Sequence, residues 1–467
     1  MRRVMTHTIS ILVQNQPGVL AQLSELFRSH GYNIEKIKAG KSKKTSLTKI
    51  KIAATGSDES FESLAVQLGD ISHVVDVDIS RQRHYSFWLV AYCLCITLLG
   101  TNFPAPLYAV YRSEWQMSSG IITFLYALYA LIVIPTIIIV AQFSKQWGRK
   151  NVLCAGVIFS ILGSVGFALS SGVSGLLIAR CFQGLSVGIL NGIAVTYMTD
   201  FHPKHDKVKS AFVAAIAGTL GNAVGPLVSG FLGDYSPYPM QFSYAVHVLL
   251  AIAGLLGLNF MLDSKTAAKR VTVLQIPVIS KSLRRPFLLA ASASFLSWGV
   301  MSLMLSVIPT YLNLFSNQPS LSFSGTMVAL VLGLSTIHQV ILRKQPVFRL
   351  IIIGYVLLIL GLLCLFLTLW SKSLLLLVLT TIFIGLGNGP SYAGSLAYLN
   401  QISTDDNRAN MTSSFFVMTY LGVSIPVITL GYVGQWLGLT HAIQGYSCIM
   451  IALIVISLFA WLRKKEE

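Results

Sequence analysis

Arg81-Gln82-Arg83-His84-Tyr85-Ser86-Phe87-Trp88-Leu89-Val90-Ala91-Tyr92-Cys93-Leu94-Cys95-Ile96-Thr97-Leu98-Leu99 is the stretch that divides the chain. Before it, residues 1–83 alternate polar and apolar and cannot cross a bilayer. After it, apolar runs of bilayer-spanning length recur twelve times between Phe87 and Leu462. The expected fold class is an α+β head followed by an all-α membrane bundle of 12 transmembrane helices in two six-helix repeats. The expected boundaries are 1–83 for the head, 86–262 and 286–467 for the two halves, and 263–285 for a central loop between them.

Composition agrees: 54% of residues are hydrophobic, 11% are charged, and the mean hydropathy of +0.69 lies outside the soluble range. The net charge of +17 raises the question of nucleic acid, which its distribution answers. Residues 1–83 hold 12 Lys+Arg against 8 Asp+Glu. Past the head, Lys and Arg collect in alternate connections. They are Lys145, Arg149 and Lys150; Lys204, Lys207 and Lys209; Lys265, Lys269, Arg270, Lys281, Arg284 and Arg285; Arg343, Lys344 and Arg349; and Arg408. The opposite connections hold only Arg112 and Lys372. The positive-inside rule then places both termini and the head in the cytoplasm, in a multi-pass protein of the inner (plasma) membrane. The charge is a topology signal, and no nucleic-acid partner is expected. No secretory signal is read before the head. Cys93, Cys95, Cys154, Cys181, Cys364 and Cys448 all fall within spans without metal-ligand spacing, so neither disulfides, nor a metal, nor any other cofactor is expected.

In the head, strand-like alternation from Thr6 to Val13 meets Asn15-Gln16-Pro17-Gly18, then a helical run Val19–His30 with Leu20, Leu23, Leu26 and Phe27 on one face. Strands at 33–40 and 47–55 flank the hairpin Lys41–Ser46; a helix at 59–68 and a strand at 74–79 complete a βαββαβ order. Through Asn15-Gln16-Pro17-Gly18-Val19-Leu20 and Gly31-Tyr32-Asn33-Ile34-Glu35, residues 4–80 resemble the ACT domain, most closely that of acetolactate synthase small subunits. The resemblance implies an α+β sandwich that binds an amino-acid effector across an ACT-mediated dimer. Asn15, Gly18 and Val19 would contribute from one side and Asn33 from the second strand. Free N–H groups at a helix start suit such an anion. The plainer alternative makes Pro17-Gly18 a turn and Asn33 a strand-edge cap. The short polar linker Arg81–Tyr85 is expected to hold the head against the cytoplasmic mouth of the bundle.

The bundle repeats at an offset of 201 residues: Phe182, Gly184, Leu185, Gly188 and Tyr197 fall on Phe383, Gly385, Leu386, Gly389 and Tyr398, and Gly221 and Gly230 on Gly422 and Gly431. Parallel repeats imply a passage between two halves. Three motifs resemble those of the major facilitator superfamily, with its drug and metabolite antiporters: Ser144-Lys145-Gln146-Trp147-Gly148-Arg149-Lys150, Arg180-Cys181-Phe182-Gln183-Gly184, and Gly221 to Gly230 around Gly225-Pro226. The resemblance implies conformational roles for Gly148, Arg149, Lys150, Gly221, Gly225, Pro226 and Gly230, and a role in substrate or proton coupling for Arg180 and Gln183. Lys145 departs from the family pattern, which has an acidic residue there. Small residues at four-residue spacing also suit plain close packing.

Arg180 is the one strong charge deep in a span of the first half, and so must face protein or water. A hub bonded to backbone carbonyls satisfies that requirement as well as a transport role does. Every carboxylate after the head (Glu114, Asp200, Asp206, Asp234, Asp263, Asp405, Asp406, Glu466, Glu467) lies at a span end, in a loop or in the tail. A proton-coupled exchanger needs a group that titrates as the cavity switches sides, which leaves His247 and His338, with Asp200 or Glu114 outside them. Asn102-Phe103-Pro104 and Pro309-Thr310-Tyr311 are expected to break spans 1 and 7, with Asn102, Tyr108 and Tyr126 in the cavity wall.

No nucleophile–base pattern, phosphate loop or metal cluster points to an enzyme. The favoured function is a secondary transporter exporting a small-molecule substrate (drug, amino acid or metabolite) in exchange for protons, its ACT-like head sensing an amino acid. The alternative is a membrane-anchored regulatory subunit of a branched-chain amino-acid biosynthetic enzyme.

Overall fold

The computed structural model describes residues 4–41, 47–57, 61–78, 80–202, 206–261, 279–311, 320–404 and 407–466. The head consists of β1 (Val4–Gln14), α1 (Val19–Ser29), β2 (Asn33–Lys41), β3 (Leu47–Ser57), α2 (Phe61–Gly69) and β4 (Val74–Asp78), the expected βαββαβ order. Its four strands form an antiparallel sheet in the order β2-β3-β1-β4. Alternation sends Ile9, Ile11 and Val13 of β1 and Ile50, Ile52 and Ala54 of β3 into a core. From the helices, Val19, Leu23, Phe27, Leu64, Ala65 and Leu68 join it. The buried stripe of α1 therefore starts at Val19, whereas Leu20, assigned to that face from sequence, is 45% exposed. The hairpin tip at 42–46 lies outside the described residues.

The expected linker is not a linker. Helix α3 (Ser80–Asn102) begins two residues after β4 ends and runs without interruption into the first span, because 80–99 contains neither Gly nor Pro to stop it. Next come α4 (Pro104–Glu114), α5 (Ser119–Trp147), α6 (Arg149–Ala168), α7 (Val173–Phe201), α8 (Lys207–Tyr235) and α9 (Pro239–Gly257). The second half holds α10 (Arg284–Tyr311), α11 (Leu321–Leu342), α12 (Val347–Ser371), α13 (Leu374–Ile402), α14 (Arg408–Leu437) and α15 (Leu439–Glu466). Twelve helical stretches among the described residues are long and apolar enough to cross a membrane, α3 and α4 together forming the first. Span 1 is thus interrupted at Phe103 and does not end there, and α10 carries helix through Pro309 to Tyr311. Most of the central loop, 262–278, lies outside the described residues.

The face where α3 begins is the head side, and α4, α8, α10 and α14 end at the far face. Packing repeats as the 201-residue offset requires. A Cβ on Gly221 or Gly225 of α8 would strike the backbone oxygens of Cys95 or Leu99 in α3, and one on Gly422 of α14 would strike that of Phe295 in α10. Nearer the far face, Gly230 lies against Leu321 of α11 and Gly431 against Thr123 of α5. Small residues let α8 and α14 each touch a helix of their own half and one of the other.

Candidate functional site

Helix α3 ends where proline begins. Pro104 has no N–H to give the carbonyl of Gly100, and among the described residues no backbone bond reaches Thr101 O across the break between α3 and α4. Two side chains of α7 replace the missing donors. Gln183 Nε2 donates to Gly100 O at 3.0 Å, and Arg180 Nη1 donates to Thr101 O at 2.9 Å and to Gln183 Oε1 at 2.7 Å. Arg180 Nη2 donates to the hydroxyl of Tyr108. The guanidinium carbon lies 5.4–5.5 Å from the ring centres of Tyr108, Tyr129 and Phe167. Aromatic faces and carbonyl dipoles thus solvate a cation that is 1% exposed, while its Nε is buried without a hydrogen-bond partner.

The other sequence candidates surround this cluster. Tyr108 is fully buried, and Tyr126 is buried edge-on to Tyr129, ring centres 5.8 Å apart, its hydroxyl without a hydrogen-bond partner among the described residues. Asn102 donates Nδ2 to Leu98 O at 3.3 Å and to Asn222 Oδ1 of α8 at 2.7 Å, tying the break to the glycine-lined helix. His247 of α9 is fully buried, with Nε2 3.0 Å from Ile96 O and Nδ1 2.7 Å from Ser164 Oγ. The carbonyl can only accept, so Nε2 carries a proton, and in the neutral ring Nδ1 then accepts from Ser164 Oγ. His338 places Nδ1 2.6 Å from Leu386 O.

Sequence reading missed the polar aromatic residues between the halves. Asn191 Nδ2 of α7 donates to the hydroxyl of Tyr420 of α14 at 3.1 Å, and Tyr420 lies near both Tyr129 and Tyr392. Tyr392 meets Trp298 edge-on at 5.8 Å. All five of Tyr129, Asn191, Trp298, Tyr392 and Tyr420 are half-buried although they sit deep in the bundle. They belong to five different helices, and the offset that pairs Asn191 with Tyr392 was the available signal.

The conformational motifs take well-defined places. Gly148 has φ +82° and is the whole connection between α5 and α6, a backbone that L side chains rarely adopt. Lys150 Nζ donates to Asn259 O at 3.2 Å. Arg149 opens α6, but its side chain, like that of Lys145, lies outside the described residues. Pro226 lies inside α8, and Gly325 of α11 packs on its carbonyl.

In the head, Gly18 has φ +89° and no side chain caps the start of α1. Asn15 and Gly18 are exposed and Val19 is buried. Register places Asn33 opposite Thr55, whereas β1 reaches Gln14, just before Asn15, opposite Leu47. Eight residues of β3 separate these points, roughly 27 Å of strand. Within one chain, Asn15 and Asn33 stand at opposite ends of the sheet.

Comparison with known proteins matches residues 9–76 to the AHAS small subunit-like ACT domain. An uncharacterized MFS-type transporter of Methanocaldococcus jannaschii is 22% identical over 81% of this chain and 97% of its own. The quinolone resistance protein NorA of Staphylococcus aureus is 24% identical over 37% of this chain and 45% of its own, so the chain spans less than half of that relative. Among solved structures, a POT family transporter in complex with 5-aminolevulinic acid superposes with a TM-score of 0.66, at 14% identity, over 82% of this chain and 96% of that one. Residues 90–371 match the Major Facilitator Superfamily itself, and with its paired halves and a full-length relative from the same family, the chain is a member of that superfamily carrying an N-terminal ACT domain.

Proposed function

We propose that this transporter exports a small molecule, a drug, amino acid or metabolite, in exchange for protons. In this reading the ACT domain senses an amino acid from the cytoplasmic side of the inner membrane. The observation that carries the reading is the pairing of a superfamily bundle with half-buried polar aromatic residues where its halves meet. Export is supported by the antiporter-like Gly221–Gly230 segment and by the likeness to NorA. The alternating distribution of Lys and Arg supports a cytoplasmic head. The uncapped start of α1 beside Gly18 offers free amides to an amino-acid carboxylate, and the separation of Asn15 from Asn33 makes a second copy of the head the natural partner for completing that site.

Coupling between head and bundle has a direct route, since β4 is followed almost at once by the helix of span 1, which also holds the carbonyls bound by Arg180 and Gln183. An effector that favours one arrangement of the head then shifts the populations of the transporter. The test is export from cells of a panel of amino acids and cationic drugs, with wild type, Asn15→Ala and Gly18→Val. The expected result is export that an amino acid modulates in wild type and leaves unmodulated in both variants. Export insensitive to every amino acid would remove the sensing role. Co-purification of an acetolactate synthase catalytic chain without any export would favour the regulatory-subunit alternative.

A further inference from the structure

At the far face a carboxylate and an amide occupy matching places. Asp234 lies at the end of α8, and 201 residues later Gln435 lies at the end of α14. Each meets the N-cap serine of a helix from the opposite half, Ser320 before α11 and Ser118 before α5. Their chemistry differs. Asp234 accepts from Ser320 Oγ at 2.8 Å, Leu321 N at 2.9 Å and Ser322 N at 2.8 Å, a negative charge at the positive end of α11. Gln435 is neutral and donates its Nε2 to Ser118 Oγ at 2.6 Å. Next to Asp234 the backbones touch: Gly230 against Leu321, Gly325 against Pro226.

We propose that Asp234 is the latch that keeps the far face shut, and that Gln435 is its weaker, uncharged counterpart. The inference rests on reading the bundle as a transporter. Opening the passage to the far side must part the end of α8 from the start of α11. That separation strips two backbone amides and a serine hydroxyl from a carboxylate, and returns four unsatisfied groups to water. At the α14–α5 seam the same motion releases one neutral hydrogen bond. Asp234 therefore sets the closed-to-open ratio of the far face, and the two seams contribute unequally.

The test is a spin-label distance between Tyr238→Cys and Trp370→Cys, far-face positions on opposite halves that are 67% and 81% exposed. It uses full-length protein in lipid nanodiscs, with the native cysteines replaced by alanine. Asp234→Asn is expected to raise the long-distance population roughly threefold to tenfold, the loss of charge-assisted bonds at an exposed site. Gln435→Ala should raise it less. Gln435→Glu, which adds a carboxylate at the start of α5, should lower it, and this gain cannot arise from misfolding. Superposable distributions for wild type and Asp234→Asn would overturn the latch, as would an equal shift from Gln435→Ala. If wild type shows both distances while Asp234→Asn matches it, the latch alone fails; a single unchanging distance in every protein fails the transporter reading with it.

Discussion

The two halves of the bundle share a fold and divide its charge unequally. In the first, Pro104 opens two carbonyls of span 1, and Arg180 and Gln183 bond to them. In the second, Leu305 stands at the place of Pro104, α10 is continuous, and Thr381 and Ile384 stand at the places of Arg180 and Gln183. Thr381 turns its hydroxyl to Leu377 O of its own helix, at 2.9 Å. The difference teaches that the buried arginine and the proline are one feature: a cation is tolerated in the membrane interior where a broken helix supplies acceptors, and is absent where the helix is whole. Asp234 against Gln435 repeats the asymmetry at the far face.

The largest expected effect comes from breaking that pairing. Arg180→Leu leaves Thr101 O and Gln183 Oε1 without this donor in a dry interior. Thermal unfolding in detergent should show a loss of about 3 kcal/mol or more, together with loss of transport. Thr381→Leu at the matching place should cost under about 1 kcal/mol, and equal losses would mean that the halves are not differently built. The glycine seams come next, and sharpen what the halves share. Gly221→Val and Gly422→Val each force a side chain onto backbone of the same half, and each should cost about 1–3 kcal/mol by the same assay. Ser164→Ala should cost about 1 kcal/mol by removing the donor to His247 Nδ1.

The smallest effect belongs to the head. The Arg28 guanidinium, 2.7 Å from Glu25, holds that exposed carboxyl below its usual range. A carboxyl lowered in the folded state contributes stability above its unfolded value and loses it as pH falls through the folded one. Any contribution of Glu25 is therefore present at neutral pH and fades in acid. Glu25→Gln should leave melting at pH 7 unchanged within error, and a clear drop would show that this surface pair is stronger than its exposure allows.

Much of this was legible in the sequence, for physical reasons. Period-two alternation in 6–13 and the length of the apolar runs fixed element types, and the 201-residue offset identified the helices that pack alike. What failed was what depends on a neighbour. Val19, Leu20, Leu23, Leu26 and Phe27 are all apolar, so the sheet beneath α1 decides which of them are buried. Arg81–Tyr85 reads as a polar linker, although nothing in it ends a helix. Pro104 announces an unbonded carbonyl at Gly100, but not that Gln183 takes it. Asp234 at a span end reads as a solvated charge until α11 is placed beside it.

The most direct test of a proton-exchanging transporter is an imposed pH gradient across proteoliposomes holding the full-length protein, followed with a pH-sensitive dye as amino acids and cationic drugs are added. Wild type is predicted to dissipate the gradient with at least one compound, and Arg180→Gln, provided that it remains folded, with none. A gradient undisturbed by every compound, or dissipated equally by both proteins, would contradict it.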